Sequence, residues 1–324
     1  MSITITGGIT LASGGWTITA APPAIPASTA GWFGGGFNFG GGSATAAVNR
    51  LTFATDTDSS STRGSLSVAR YWLTGTGTTT YGWYSSGTTS SGSGYSTVVD
   101  RITYATDTAT ASARTTMAFP YAFSSTIRNA PASSTDYTTY GWFGGGYYSG
   151  NDVSRVERLT YATDTDGLAT RGPLSVSKQY MAATSTMTYG WFAGGTPVAA
   201  TVSRITYATD TATASTRGPL ATATYRFAAT GNGNYGWFAG GAGLGSGVNR
   251  IDYANDTATA SARGPLSVDR YGFAGASDGN NYGWYSGATA GKSDRIDYAN
   301  DTATASVRGP LTSNGYLAAT SGVQ

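Results

Sequence analysis

The chain contains no cysteine, no histidine and a single glutamate, Glu157. Without cysteine there are no disulfides and no thiol chemistry, so the fold is indifferent to the redox compartment. Without cysteine or histidine the usual zinc sites and imidazole acid–base catalysis are excluded as well. Charge is also scarce. Only 11% of the residues are charged and the formal net charge is +2. Binding nucleic acid through its phosphates needs a concentrated basic surface, and the chain has no basic run. No apolar run of about 18 residues is present to span a membrane as a helix. The start, MSITITGGITLASGG, has neither the basic flank nor the long apolar centre of a signal peptide. No stretch has the 3.6-residue apolar period of a helix.

What the chain has instead is one unit written six times. Its cleanest copy reads YGWFAGG (235–241), then RIDYANDTATASARGPL (250–266), then RYGFAGA (270–276). The tryptophan falls at 32, 83, 142, 191, 237 and 284, with spacings of 51, 59, 49, 46 and 47 residues. An Arg-Ile or Arg-Leu pair recurs at Arg50, Arg101, Arg158, Arg204, Arg250 and Arg295. Six residues after each stands Asp56, Asp107, Asp164, Asp210, Asp256 or Asp301. A second arginine follows at Arg63, Arg114, Arg171, Arg217, Arg263 and Arg308. These positions hold 18 of the 36 charged residues, so half the charge sits in fixed register.

Each unit divides into four strand-like runs. Run b is YGWFAGG, run c the Arg-Ile-Thr-Tyr stretch, and run d the TATASxRGPL stretch. Run a is the Tyr-x-Phe-Ala-Ala stretch that leads into the next run b. Aromatic and threonine residues favour strands, while Gly-Gly, Asp-Thr and Gly-Pro mark turns. Four short strands at a period near 50 residues are the pattern of a propeller blade. The unit resembles a kelch repeat: a Gly-Gly doublet closes strand b, an aromatic sits midway along strand c, and a small-residue strand d leads to Pro-Leu. It departs from the kelch pattern where a tryptophan commonly marks strand d and Ala or Ser stands here. The YGWF and YATDTATA repeats, with the ITITGGITL start, are also similar to repeat-containing virion structural proteins of tailed bacteriophages. The resemblance covers residues 30–321 and implies a fold more than a function, because kelch propellers do many unrelated things.

The repeated residues are expected to serve the fold. Six tryptophans at one blade position form buried packing between blades rather than sugar-stacking platforms. The flanking glycines let neighbouring backbones approach. Each Asp is expected to cap its own c–d turn. The alternative, calcium, needs six to eight oxygens where each turn offers one fixed carboxylate. The two arginine series are expected to pair with these Asp residues or with backbone carbonyls between blades. Glu157 is read as a solvated loop residue, not a catalytic acid. Kelch-fold copper oxidases require His ligands and a Cys-linked Tyr, the sialidase Ser-x-Asp-x-Gly-x-Thr-Trp box is missing, and glycoside hydrolysis needs two placed carboxylates.

The copies differ in their loops. The b–c loops at 37–49, 88–100 and 147–157 are long, and the a–b loop of one copy is expected to expand over 124–139. Aromatics on the b–c loops, Phe37, Phe39, Tyr95, Tyr147 and Tyr148, are candidates for an interaction patch. Before the repeats, residues 1–29 alternate Ile3, Ile5, Ile9, Leu11, Trp16 and Ile18 with Thr or Ser, then run into the proline-rich APPAIPAS linker, 21–28. A hairpin alone is marginal in water, so these six are expected to bury against another chain, with the linker holding the arm clear of the first blade. The competing placement puts residues 16–20 in run a of blade one.

The expected fold is an all-β, six-bladed kelch-like β-propeller with four strands per blade, spanning 30–324, with a short N-terminal β arm over 1–29. The last run a, near Tyr316 to Ala319, is expected to pair with the first run b at 31–33. The expected function is that of a non-enzymatic structural or assembly protein of a phage virion or extracellular appendage. Its expected partners are itself and other particle proteins, with no cofactor, metal, nucleic acid or membrane insertion. The alternatives are a propeller lectin for host-surface glycan and a general kelch-type interaction module.

Overall fold

The structure is a computed structural model describing residues 7–12, 15–20, 25–89, 94–117, 132–148, 150–288, 291–311 and 314–321. Among these residues the protein is all-β, and its only helical pieces are six single 3-10 turns. None is long and apolar enough to cross a membrane.

Six four-stranded antiparallel sheets follow the six copies. The fifth is representative: strand a is Ala228–Gly231, b Tyr235–Ala239, c Val248–Asp252 and d Ser261–Arg263. Its order is a-b-c-d, with Trp237 facing Thr230 on one side and Arg250 on the other. The tyrosine after strand c starts the 3-10 turn Tyr253–Asn255, which carries the chain to Asp256. In the second sheet Thr115-Thr116 replaces the Gly-Pro of the last four copies (Gly-Ser in the first), strand d lengthens to Ser112–Thr116, and its pairing with c shifts register between Val99 and Asp100.

The first sheet takes its strand a from the far end of the chain. Ala318–Thr320 pairs with Ala30–Gly34, setting Trp32 opposite Thr320 and Phe33 opposite Ala319. The expected pairing of the two chain ends forms, and residues 16–20 do not take that place. They pair instead with 7–12 in a separate two-stranded hairpin, with Ile9 opposite Ile18 and Leu11 opposite Trp16.

The core lies between consecutive sheets rather than within one. One cluster joins Trp237 and Val248 of the fifth sheet to Tyr285, Ile296 and Tyr298 of the sixth, and another joins Phe33 and Leu51 of the first to Trp284 and Leu317. Each strand a also lies against the strand a of the next sheet, and Ala318–Thr320 lies against both Ala274–Ser277 and Thr74–Gly77. Close approach needs glycine at the start of the d–a link. A Cβ on Gly218 would run into the Ala258 carbonyl of the next sheet.

Three expectations are corrected by these positions. The expanded segment does not lie between strands a and b: strand a of the third sheet is Ala132–Thr135, inside the stretch expected to be loop. The expansion therefore precedes strand a, and its residues 118–131 lie outside the described residues. The Tyr-x of run a is not in a strand either. Strand a begins later, and residue x has a left-handed backbone in Trp72, Tyr180, Arg226, Gly272 and Tyr316, with φ from 55 to 71°. Glu157 is not a solvated loop residue: it lies on strand Val156–Thr160, is fully buried, and pairs with Arg155 at 2.9 Å. A lone exposed carboxylate needs no partner, but a buried one does.

Candidate functional site

The repeated Trp, Asp and Arg residues build the junctions between sheets. Each Asp reaches across to the preceding sheet, so it does not cap its own turn. Asp256 Oδ2 accepts from Trp191 Nε1 at 2.8 Å and from Arg204 Nη1 at 2.9 Å, with Arg217 Nε at 3.6 Å. The same set recurs at every junction. The indole donors lie 2.8–2.9 Å from Asp107, Asp164, Asp210, Asp256, Asp301 and Asp56. The Asp56 junction joins the last repeated sheet to the first, through Trp284, Arg295 and Arg308. The aromatic three residues before each Asp stacks on the same indole, with centroids 3.8–4.2 Å apart, from Tyr104 on Trp32 to Phe53 on Trp284. In five copies the first tyrosine of strand b lies under the strand c arginine at 4.0–4.6 Å. The five tryptophans from Trp83 to Trp284 are fully buried and Trp32 nearly so. Their surfaces are committed to packing, as expected.

Two further ion pairs are wholly internal. Arg70 meets Asp100 at 3.0 Å and Arg270 meets Asp294 at 2.7 Å. Desolvation lowers the Arg70 pKa to about 10, with Asp100 acting against the shift. Removing one partner of a buried pair leaves the other charge uncompensated, at a cost of about 3–5 kcal/mol.

The two ends of the sheets are unlike. The a–b and c–d turns share one face. Here Ile25 packs on Tyr137 and Met187, which belong to the third and fourth sheets, and Ser28 N donates to the Asp278 carbonyl of the sixth. Residues 25–28 of the linker therefore lie on this face and do not stand clear of the repeats.

The opposite face carries the b–c loops and d–a links. There the left-handed residues donate backbone hydrogen bonds from one link to the next: Arg226 N to Tyr180 O, Gly272 N to Arg226 O, Tyr316 N to Gly272 O, and Trp72 N to Tyr316 O. A left-handed L-residue costs about 1–2 kcal/mol, so four non-glycine positions of this kind are held by the collar they form. A cavity lies within it, lined by strands a of all six sheets.

Aromatic rings surround this collar. Trp72 lies 5.0 Å from Tyr316, 6.1 Å from Tyr180 and 4.5 Å from Tyr71. Phe37 and Phe39 join the group: Phe37 is 5.2 Å from Tyr71, and the exposed Phe39 is 6.0 Å from Tyr316. Tyr147 lines a cleft with Tyr180, Tyr225 and Arg226. Tyr148 packs instead against the cluster around Trp83, and the half-buried Tyr95 is tied by its backbone to Thr88. Of the arm residues, Ile9, Leu11, Trp16 and Ile18 fall on the hairpin, while Ile3 and Ile5 lie outside the described residues.

Sequence reasoning missed Tyr71, Trp72, Tyr180, Tyr225, Arg226 and Tyr316. The available signal was an aromatic recurring just after the Pro-Leu stretch, as in ARYW, KQYM, TYRF and NGYL, but these residues were counted as strand. No protein-family model matches the chain, and no curated protein matches it.

Proposed function

We propose that the six sheets are blades of a closed six-bladed propeller, and that the protein is a non-enzymatic assembly component of a phage virion or extracellular appendage. In this reading the Asp56 junction and the pairing of the chain ends complete the ring: the first sheet takes its strand a from the far end of the chain and packs against the sixth. The kelch-like doublets and near-50-residue spacing support the same architecture.

The observation that carries the assembly reading is the hairpin Gly7–Ala12 with Gly15–Ala20, which joins none of the six sheets. Two strands rich in Ile, Leu and Trp do not persist alone in water. Ring completion does not need them, because Ala318–Thr320 already fills the place they could take. The hairpin is therefore available to pair with a second copy or another particle protein. Charge supports the reading too: the repeated carboxylates and most arginines are committed to junctions, so the surface has few charges to oppose association.

Sedimentation velocity of the full chain and of a chain lacking residues 1–24 tests this. The full chain should sediment as a multimer and the shortened chain as a folded monomer. Equal sedimentation of the two would overturn the proposal.

A further inference from the structure

Arg226 is the one described arginine outside any ion pair; the other fifteen each have a carboxylate within 3.6 Å. In a chain that commits nearly all its guanidinium charge, this exception sits at the collar of the aromatic face. Its guanidinium carbon is 4.9 Å from the Tyr180 ring and 5.3 Å from the Tyr225 ring. Its backbone is left-handed, with φ 58°. At the same position the next copy has Gly272, which adopts that conformation freely. Trp72, Tyr180 and Tyr316 share that conformation, so the collar fixes the backbone from which the Arg226 side chain leaves.

Arg226 lines three adjoining hollows: the cavity among the strands a, the cleft with Tyr147, and a hollow bounded by Phe37, Phe39 and Trp72. The cleft holds about 350 Å³, within the range of small-molecule sites. On its wall, Gln179 Oε1 and Thr196 Oγ1 are buried without a hydrogen-bond partner, as is Arg226 Nε. Behind the wall, Asp152 is hydrogen-bonded by Gln179 and attracted by Lys178. Arg226 is the one charged residue among those that line the cleft.

We propose that this cleft binds a carboxylated saccharide, with the carboxylate on Arg226 and the apolar face of the sugar ring on the tyrosines. The mixed hydrogen-bonding set is the reason for choosing a sugar. An acidic side chain offers only acceptors, which answer Arg226, so a peptide would have to reach Gln179 Oε1 with a backbone N–H. Sugar hydroxyls both donate and accept, so small rotations of Gln179 and Thr196 let one ligand answer all three groups. Cation and ring together hold a charged pyranose as neither does alone. This inference does not depend on the assembly reading, because the cleft lies on the face opposite the linker.

The test is an array carrying sialylated, glucuronate and galacturonate glycans, their neutral or esterified counterparts, and polyglutamate peptide, probed with the full chain. At least one carboxylated glycan should bind about tenfold more tightly than its neutral counterpart. R226G, whose backbone suits glycine, should lose that difference while keeping the melting temperature. Q179L, which leaves the charge in place, should weaken binding by about three- to tenfold. Three outcomes overturn the proposal: no carboxylated glycan retained, undiminished binding by R226G, or polyglutamate binding as strongly as the best glycan. The last would make the face an acidic-peptide site.

Discussion

Asp56→Ala probes the junction on which ring completion rests. Asp56 is 6% exposed, and its carboxylate takes Trp284 Nε1 at 2.8 Å, Arg295 Nη1 at 3.0 Å and Arg308 Nε at 3.3 Å. Alanine leaves a buried indole N–H without an acceptor, a loss of about 1–3 kcal/mol. It also leaves two arginine side chains without a counter-charge. Breaking a buried pair costs about 3–5 kcal/mol, but these arginines are 20–23% exposed and water relieves part of that. Together the loss should be about 3–5 kcal/mol, read by urea unfolding as a lower midpoint with an unchanged slope. The corresponding fall in Tm is roughly 5–15 °C. Asp256→Ala breaks the equivalent contacts between sheets that are adjacent in sequence, and serves as the reference. If the first and last sheets are joined as the others are, the two losses should agree within about 1 kcal/mol. A loss under about 1 kcal/mol for Asp56→Ala beside a full loss for Asp256→Ala would refute ring completion.

Trp237→Ala, which empties a fully buried site between the fifth and sixth sheets, should cost about 3–5 kcal/mol in the same unfolding experiment, and a neutral result would contradict the packing role. Burial pushes up the hydroxyls of Tyr84, Tyr104, Tyr137, Tyr161, Tyr207, Tyr253, Tyr285 and Tyr298. Their folded pKa values exceed the ordinary value of about 10, so their contribution is intact below that pH and is lost as pH rises above it. Ultraviolet titration should show these tyrosines ionising together with cooperative unfolding at high pH; smooth ionisation near pH 10 in a folded protein would contradict their burial. Deleting residues 314–324 should unfold the first sheet by removing Ala318–Thr320, whereas deleting residues 1–24 should leave circular dichroism and Tm nearly unchanged. Equal damage from both deletions would return the closure role to the arm.

Repetition made the strands legible. A tryptophan recurring in one register with glycines beside it has to meet the same surroundings six times, and burial between neighbours satisfies that at every copy. The pairing of the chain ends followed from counting, since the last run a had no run b after it. Side-chain partners were less legible. The Asp of one copy bonds the copy before it, 51–81 residues away along the chain or 228–239 away at Asp56, and a local turn explains the same Asp-Thr spelling equally well. Glu157 misled for a related reason. Its burial depends on strand register, and the same position holds Asn49, Asp100, Ser203, Asn249 and Asp294, all buried polar residues in the other copies. The aromatic face was half visible. Phe37, Phe39 and Tyr147 lie on loops that differ among copies, whereas Tyr180, Tyr225 and Tyr316 lie where the repeat looks regular. What removes them from the strand is a left-handed residue at their own position or just after it, and Trp72 and Arg226 give no composition signal for it.

Electron microscopy of the full chain beside the chain lacking residues 1–24 tests the account most directly. The account predicts six-lobed discs in both, joined into multimers through one face in the full chain and single after truncation. Discs with another number of lobes, or full-length discs that remain single, would contradict it.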